Sequence, residues 1–425
     1  MVDFQPFTRY NSVVFQRILK ENIIEALTDT PVVLLVGARQ SGKSTLVQNL
    51  ETAEYKPTYL TFDDVTIMSA ASENPKAFLE SFQTPVIFDE IQRVPELLLP
   101  IKASVDKNRN AGRYLLTGSA DIMMLPKVAD SLAGRMQVIN LRPLSQGEIA
   151  GRKDDFIDWV CGDQFDLPKS FPLENRKDLF ERMFVGGFPE AVQRTSEKRR
   201  GAWFRSYITT LLRRDIRDLS NIERPADLAR LFSILAARSG GLLNFADISR
   251  SAGIPQTTLK RYISILEQMF LIELIPAYSR NMTKRLTKSP KLYFIDTGIL
   301  SNLQGLNWPR IRVENSLAGI LTENFVVSEI RKQAEWSETK VEIFYFRTTT
   351  DQEVDIVLEM PNGEVVGIEI KSGAGIGSDA FKGLKILQSE LGKKFKRGIV
   401  IYTGESSVAF AENMFAVPIG TLWNV

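Results

Sequence analysis

The sequence predicts an α/β protein that begins with a parallel sheet, and two observations carry this prediction. Between residues 10 and 150, helix-length stretches separate five short apolar runs: VVLLV (32–36), YLTF (59–62), PVIF (85–88), RYLL (113–116) and MQVINL (136–141). Short buried strands that alternate with helices are typical of βαβ units, whose sheets are covered on both faces. The second observation is the glycine-rich turn that directly follows the first run.

That turn, GARQSGKST, fits the P-loop pattern GxxxxGK[ST]. The residues expected to contact a nucleotide there are Gly37, Ala38, Arg39, Gln40, Ser41, Gly42, Lys43, Ser44 and Thr45. Glycines let backbone N–H groups converge on phosphate oxygens at a helix N-terminus, while Lys43 would reach the β and γ phosphates and Ser44 would ligate Mg²⁺. We therefore expect ATP and Mg²⁺ as cofactors.

A second acidic element follows the P-loop at a suitable distance. PVIFDE is a buried strand that ends in two acids, of which Asp89 would hold Mg²⁺ through water and Glu90 would orient or deprotonate the attacking water. The next strand ends in LLTGSADI, which offers Thr117 or Ser119 as a polar sensor of the γ-phosphate, although a turn hydroxyl explains either residue equally well. Arg135 is either an arginine finger or half of a surface ion pair.

Composition removes several kinds of chemistry. A chain of 425 residues predicts about two to four domains, and its net charge of +2 means that affinity for nucleic acid must come from local patches. Histidine is absent and Cys161 is the single cysteine, which excludes His-dependent triads, His-zinc sites and internal disulfides. No apolar run approaches the roughly 18 residues of a membrane span, so we expect a cytoplasmic protein outside the membrane.

These motifs, together with GGFPEA (186–191), LLRRDI (211–216) and SPKLYFIDTGIL (289–300), resemble the AAA+-type P-loop ATPases predicted in bacteria and archaea. The resemblance covers nearly the whole chain. It implies an ATPase core followed by a second, C-terminal domain that is usually classed with restriction-endonuclease-like folds. The ATPase motifs are specific, whereas the biological role that they imply is not.

The chain is expected to divide into four parts. These are a P-loop AAA+-type ATPase core (1–150), a helical lid or connector (151–225), a winged helix-turn-helix (226–287) and a PD-(D/E)xK nuclease-like α/β domain (288–425). In the third part, Thr257 is the expected N-cap of a second helix. Its buried face would carry Leu259, Ile263, Leu266 and Phe270, and its outer face Gln256, Lys260, Arg261 and Ser264.

A basic tail follows this helical module. Its five basic residues are Arg280, Lys284, Arg285, Lys288 and Lys291, with no acid among them. Such a tail would suit contacts with DNA phosphates. The alternative is a lid or docking module with a solvated basic linker.

The stretch QEVDIVLEM, PNG and VGIEIK predicts a β-hairpin whose loop decides where its charges lie. If asparagine and glycine alone form the loop, Asp355 points away from Glu369; if proline joins them, Asp355 lies directly opposite Glu369. Proline, asparagine and glycine suit the three positions of the longer loop, which favours the second register. Asp355, Glu369 and Lys371 would then converge on one face.

This arrangement matches the PD-(D/E)xK nuclease pattern, with Glu323 on the preceding predicted helix as a further acid. The carboxylates of Glu323, Asp355 and Glu369 would bind Mg²⁺, and Lys371 would position or activate water. The catalytic candidates of this domain are therefore Asp355, Glu369 and Lys371. The alternative is a solvated hairpin face with cross-strand ion pairs.

The sequence thus predicts an ATPase whose nucleotide state shifts DNA-facing modules, with a last domain that binds or cuts DNA using Mg²⁺. Two rivals stay open. One is a nucleotide-controlled DNA- or protein-binding regulator with a catalytically silent nuclease-like domain, and the other is an ATPase that acts on a protein partner. The sequence leaves the oligomeric state open.

Overall fold

The computed structural model describes residues 14–53, 55–118, 132, 134–168, 175–212 and 225–425. The α-helices are α1 (Leu19–Asp29), α2 (Lys43–Gln48), α3 (Val65–Glu73), α4 (Pro75–Glu80), α5 (Leu98–Lys107), α6 (Gln146–Ala150), α7 (Phe156–Cys161), α8 (Arg176–Val185), α9 (Pro189–Val192), α10 (Glu197–Thr210), α11 (Pro225–Ala236), α12 (Phe245–Ala252), α13 (Gln256–Gln268), α14 (Met282–Thr287), α15 (Thr297–Gln304), α16 (Trp308–Val313), α17 (Asn315–Gln333) and α18 (Lys382–Leu391). Within these described ranges, no helix has both the length and the apolar character that a membrane crossing requires.

The strands form three sheets. They are β1 (Val32–Val36), β2 (Thr58–Thr61), β3 (Val86–Asp89), β4 (Tyr114–Gly118), β5 (Met136–Asn140), β6 (Ile272–Ile275), β7 (Lys291–Phe294), β8 (Glu342–Arg347), β9 (Glu353–Glu359), β10 (Val365–Lys371), β11 (Phe395–Tyr402), β12 (Val408–Ala411) and β13 (Met414–Pro418).

The five apolar runs at the start of the chain form one parallel sheet, which confirms the predicted α/β fold of this part. The strand order is β2-β3-β4-β1-β5, so the first strand lies between two neighbours. All five residues of β1 are buried, as its continuous apolar sequence predicts. Because parallel strands end at a common edge, the ends of β1, β3 and β4 bring the P-loop, Asp89 and Thr117 together.

Three helices, α11 to α13, and the antiparallel pair β6 and β7 form the middle of the chain. Apart from Phe270, the residues expected on the two faces of α13 divide as predicted: Leu259, Ile263 and Leu266 are buried, and Gln256, Lys260, Arg261 and Ser264 are exposed. Phe270 was expected on the buried face, but it is half-buried and lies beyond the end of the helix at Gln268. The expected N-cap is wrong. The helix begins at Gln256, one residue before Thr257, with Pro255 as its N-cap, because the fixed φ of proline suits the start of a helix.

Strand β7 joins the middle of the chain to its last part. Ile272 of β6 lies opposite Phe294 of β7, so this two-stranded sheet continues past residue 287, where we expected a boundary. After β6 the chain pairs with the next sheet, since Tyr278 N–H donates to the Tyr345 carbonyl in β8 at 2.6 Å.

The last sheet has six strands in the order β12-β13-β11-β10-β9-β8. Parallel pairs lie at its centre, and antiparallel pairs lie toward both edges. Apolar residues of α17 share a core with Ile356 and Ile368, whereas those of α18 share another core with Val357 and Val365. Because neighbouring strand residues point to opposite faces, the two helices cover opposite sides of the sheet.

Candidate functional site

The P-loop is built by backbone geometry at the end of β1. Gly42 has a φ of 101°, which favours glycine, and α2 begins at the next residue, Lys43. At Gly37 a Cβ atom would lie 2.1 Å from the carbonyl oxygen of Leu141, so a larger residue cannot fit without movement of backbone. The Lys43 ammonium is buried and donates to the Gly37 carbonyl at 2.9 Å and the Ala38 carbonyl at 3.1 Å.

Asp89 lies beside this loop and gathers three hydroxyl groups. Its Oδ1 accepts from Ser44 at 3.1 Å and from Thr117, and its Oδ2 accepts from Tyr59 at 2.8 Å. The structure therefore brings together the two residues expected to hold Mg²⁺ near ATP. Tyr59 was absent from the predicted site, and its only signal in the sequence is a phenol within an apolar strand. Burial, the hydrogen bond to Asp89 and the charge of Asp89 raise the pKa of Tyr59 to about 12.

Glu90 lies next to this cluster in a left-handed backbone conformation, with a φ of 61°. Its N–H donates to the Thr117 hydroxyl at 3.0 Å, and its carboxylate accepts from the Gln92 amide. Ser119 lies outside the described residues. Arg135 forms an ion pair with Asp106 at 2.6 Å, so it adopts the surface arrangement that was the alternative to a role as arginine finger.

Two further side chains hold the P-loop from outside, and no motif in the sequence indicates them. Arg17 donates to the Ser41 carbonyl at 2.9 Å, to the Arg142 carbonyl at 2.7 Å and to the Glu148 carboxylate at 2.9 Å. The Tyr207 hydroxyl donates to the Arg39 carbonyl at 2.9 Å. The P-loop backbone is thus fixed by the segment before α1 and by α10.

The C-terminal hairpin has the three-residue loop favoured by its sequence. Gly363 has a φ of 79°, and its N–H donates to the Met360 carbonyl at 2.8 Å. Ile356 pairs with Ile368, so the next pair in the same register is Asp355 and Glu369. The Asp355 carboxylate accepts from the Ile370 N–H at 2.9 Å, and the Lys371 ammonium donates to Glu369 at 2.7 Å.

A lysine from β7 lies among these acids. Lys291 Nζ is 2.8 Å from Glu323 Oε1 and 3.4 Å from Asp355 Oδ1, and it also pairs with Glu353. The Tyr293 hydroxyl donates to Glu323 at 2.6 Å. We define the C-terminal cluster as Lys291, Glu323, Glu353, Asp355, Glu369 and Lys371.

Electrostatics within this cluster follow from burial and crowding of charge. Burial, followed by the charge of Asp355, raises the pKa of Glu323 to about 7 and that of Glu369 to about 8. Burial disfavours the charged form of Lys291, but Tyr293 and the surrounding carboxylates outweigh this effect and raise the pKa of Lys291 well above its usual range.

The expected metal ligands Glu323, Asp355 and Glu369 belong to this cluster, but their arrangement does not fit a divalent cation. Lys291 binds two of these residues, and Lys371 binds the third. Over the described ranges, no group of three or more carboxylate, imidazole or thiolate side chains has the geometry to hold a metal ion. The ammonium groups of Lys291 and Lys371 therefore occupy the oxygen atoms that a cation would need.

The basic tail is only partly available to a ligand. Arg285 forms a bidentate pair with Glu359, at 2.7 and 3.0 Å, and stacks over the rings of Tyr278 and Phe344. Lys291 is directed into the C-terminal cluster. Two of the five basic residues expected to contact phosphates are therefore bound inside the protein.

Helix α17 connects the C-terminal cluster with the nucleotide domain. Glu323 lies in its middle, and roughly one and two-thirds turns later Glu329 accepts from the Gln146 N–H at 2.9 Å. Lys332 donates to the Leu144 carbonyl at 3.0 Å. Just past the helix, Glu335 accepts from Arg142 at 3.0 Å.

Arg142 also joins the middle of the chain to the same place. It forms a bidentate pair with Glu273 of β6 at 3.0 and 3.1 Å, and Arg331 of α17 contacts the same carboxylate. Burial raises the pKa of Glu273, but the two arginine charges outweigh it and lower that pKa to about 2. The nucleotide domain, the middle sheet and α17 therefore meet in one half-buried ion-pair network.

Comparison with known proteins agrees with the class defined by this geometry. Residues 29–150 match the AAA domain family model, which together with the parallel sheet and the P-loop defines an AAA-type P-loop ATPase domain. Residues 176–310 and 318–422 match two families described only as domains of unknown function, DUF8612 and DUF4143.

Over 396 residues, the chain is 29 % identical to uncharacterized proteins of Mycobacterium tuberculosis and Mycobacterium bovis, covering 92 % of this chain and 81 % of each relative. Among solved structures, a Walker-type ATPase of Pyrococcus abyssi aligns with a TM-score of 0.44 and 17 % identity, covering 71 % of this chain and 99 % of that one. A single-residue variant of RuvB from Thermotoga maritima aligns with a TM-score of 0.27 and 17 % identity, covering 61 % of this chain and 89 % of that one.

Proposed function

We propose that this protein is an ATPase that couples its nucleotide state to DNA binding through the middle and C-terminal parts of the chain. The observation that carries the proposal is the path of α17. This helix holds Glu323 of the C-terminal cluster and, through Glu329 and Lys332, the backbone of residues 144 and 146 beside the P-loop domain. A shift at the nucleotide site has a continuous, buried route to the far domain.

The residues at the P-loop fit ATP with Mg²⁺. The start of α2 offers backbone N–H groups, Lys43 offers a buried ammonium, and Ser44 with Asp89 offers oxygen ligands 3.1 Å apart. Bound Mg²⁺ would neutralise charge on the transferred phosphate. Glu90 would orient or deprotonate the attacking water once released by Gln92.

The middle of the chain would supply the DNA contact as a winged helix-turn-helix. Its second helix, α13, has an exposed face that carries Gln256, Lys260, Arg261 and Ser264. A helix with exposed amide and basic side chains is suited to base edges and phosphates in a major groove. The expected divisions 1–150 and 151–225 are kept, and the boundary between 226–287 and 288–425 is moved past β7, because its pairing with β6 assigns Lys291–Phe294 to the third part.

Nucleotide binding is tested with Lys43→Ala. We expect at least about a ten-fold loss of affinity for a fluorescent ATP analogue, because the ammonium that would meet the β and γ phosphates is removed. Lys107→Ala, at the exposed end of α5, is the control for loss of a positive charge. Equal affinities in the wild type and Lys43→Ala would exclude the assigned loop.

DNA binding is tested by gel retardation of duplex DNA at low and high salt, with ATP, with ADP and without nucleotide. Lys260→Glu and Arg261→Glu should weaken binding, whereas Lys385→Glu on the exposed face of α18 is the matched control. A complex that responds to neither the α13 variants nor the nucleotide would contradict the proposal. Failure to bind any nucleic acid at low salt would leave the protein-partner alternative.

A second candidate is a nucleotide-controlled regulator whose nuclease-like domain is catalytically silent. It is favoured by Lys291, which occupies the acids that a PD-(D/E)xK enzyme would use for metal. A cleavage screen of plasmid DNA with Mg²⁺ or Mn²⁺ separates this candidate from an ATPase whose C-terminal domain cuts DNA. Cleavage that is lost in Asp355→Ala and Lys371→Ala, yet kept in folded Lys43→Ala, would support a nuclease; retardation without cleavage would support the regulator.

A further inference from the structure

The ammonium group of Lys291 lies where carboxylates from two elements converge. Its partners Glu323 on α17, at 2.8 Å, and Asp355 on β9, at 3.4 Å, belong to the last part of the chain, whereas Lys291 belongs to β7. The Lys291 side chain is only 3 % exposed. It is therefore an internal counter-ion and differs from a surface ion pair, which solvent screens.

An internal counter-ion and a divalent cation compete for the same oxygen atoms. Mg²⁺ requires carboxylate oxygens at about 2.0–2.1 Å. Glu323 Oε1 already accepts from Lys291 at 2.8 Å and from Tyr293 at 2.6 Å, so a cation at this oxygen must displace one of the two donors. Lys371 also pairs with an acid of the cluster, but its side chain is 42 % exposed and can turn into solvent. The Lys291 side chain is buried, so its ammonium group cannot turn into solvent in the same way.

We infer that Lys291 is a built-in competitor of the divalent cation at the C-terminal cluster, and that a divalent cation binds there only when this ammonium is withdrawn. The inference rests on the proposed function, since it concerns the regulation of the same cluster. Strand β7 pairs with β6, and Glu273 of β6 is held by Arg142 at the edge of the nucleotide domain. The strand that carries Lys291 is therefore connected through β6 to the edge of the nucleotide domain.

The test counts Mn²⁺ bound by the full chain without nucleotide, from the electron paramagnetic resonance signal of the free ion. Lys291→Met should bind one Mn²⁺ more per chain than the wild type, with an affinity at least about ten-fold higher at the cluster. Lys288→Met is the matched control, because Lys288 is exposed and its ammonium donates to the Arg347 carbonyl, outside the cluster.

Two further variants make the result specific. The double variant Lys291→Met with Glu353→Gln removes both partners of one ion pair, so the net charge is unchanged and Glu353 does not remain as an unpaired charge. Glu323, Asp355 and Glu369 are kept. Adding Asp355→Asn to Lys291→Met should abolish the gained Mn²⁺, which assigns it to the cluster. Circular dichroism and thermal melting establish that each variant is folded.

The outcomes separate this inference from the proposed function. If the wild type already binds Mn²⁺ at the cluster as tightly as Lys291→Met, in a manner lost in Asp355→Asn, the competitor role is excluded and a metal-dependent domain is supported. If neither the wild type nor folded Lys291→Met and its double variant bind Mn²⁺ in a manner that Asp355→Asn abolishes, both the competitor role and a metal site at these acids are excluded. A gain in Lys291→Met that is absent in Lys288→Met supports the inference.

Discussion

The ion pair between Arg17 and Glu148 gives a prediction of defined size. The two side chains are 6 % and 0 % exposed, and their closest atoms are 2.9 Å apart. Replacing Arg17 with methionine leaves the carboxylate buried without its counter-charge, which costs about 3–5 kcal/mol in comparable pairs. Glu148 keeps hydrogen bonds from the Ile18 and Ser145 N–H groups, so we expect a loss near the lower limit, about 3 kcal/mol.

In a domain of about 150–250 residues, a loss of about 3 kcal/mol lowers the midpoint temperature of unfolding by roughly 6–12 °C. Differential scanning calorimetry can measure this shift in the first unfolding transition. Arg93→Met is the matched control, because Arg93 pairs with Asp63 at a site where the side chains are 42 % and 60 % exposed. Surface pairs of this kind contribute about 0–1 kcal/mol. Equal shifts in the two variants would refute the assignment of Arg17 as a buried anchor.

Arg17→Met should also weaken ATP binding, because it removes the donor that fixes the Ser41 carbonyl in the P-loop. We expect about a ten-fold rise in the dissociation constant of a fluorescent ATP analogue, equivalent to the loss of one charge-assisted hydrogen bond. A double-mutant cycle with Glu148→Gln should show a coupling on the order of 2 kcal/mol in stability. Additive effects would mean that the two residues act independently.

Three further predictions concern separate positions. Gly37→Ala should abolish binding of the ATP analogue, because its Cβ would meet backbone 2.1 Å away, whereas Gly375→Ala, with open space around it, should leave binding unchanged; equal behaviour would contradict the packing. Burial, with the charge of Glu329, raises the pKa of Asp154 to about 8, above its unfolded value near 4, so the folded state binds the additional proton and stability falls as the pH rises through this window. The side chain of the Asp154→Asn variant cannot ionise. Its free energy of unfolding should therefore exceed that of the wild type by a few kcal/mol at about pH 8.5, but only by an amount on the order of 1 kcal/mol at about pH 5. A difference in unfolding free energy that does not change with pH would contradict this prediction. Tyr59→Phe removes the hydroxyl group that donates a hydrogen bond to Asp89. The change should lower the ATPase rate more than it lowers affinity for the ATP analogue, and an unchanged ATPase rate would exclude a role of Tyr59 in positioning Asp89.

The sequence predicts those parts of the fold that local chemistry determines. Continuous apolar runs define the three central strands β3, β4 and β1, because a strand covered on both faces is almost entirely apolar, whereas the edge strands β2 and β5 keep exposed residues. The loop Pro361–Gly363 sets the hairpin register for a similar reason: proline and glycine each supply a backbone angle that the longer loop requires. The α13 start shows the limit of this reasoning, since Thr257 was the expected N-cap and the structure has Pro255 at that position.

Tertiary packing determines the contacts that the sequence did not reveal. Lys291 is 32 residues from Glu323 and 64 from Asp355, and it was expected in a phosphate-binding tail because its neighbours in sequence are basic. Arg17 is 131 residues from Glu148, and Tyr207 is 168 from Arg39. No helical or strand periodicity connects residues so far apart in the sequence. Their neighbours in sequence therefore do not reveal these contacts, and the basic neighbours of Lys291 place it on a solvated surface.

The course of α17 means that this polypeptide cannot be divided where its family matches divide it. Twelve of its residues are buried, among them Phe325, Glu329 and Lys332, so the helix is enclosed by neighbours from three regions of the chain. A protein truncated after residue 313 would expose the Leu144 carbonyl and the Gln146 N–H that this helix satisfies, and Arg142 would lose one of its carboxylate partners. The nucleotide-binding half depends for its integrity on a segment encoded nearly two hundred residues downstream.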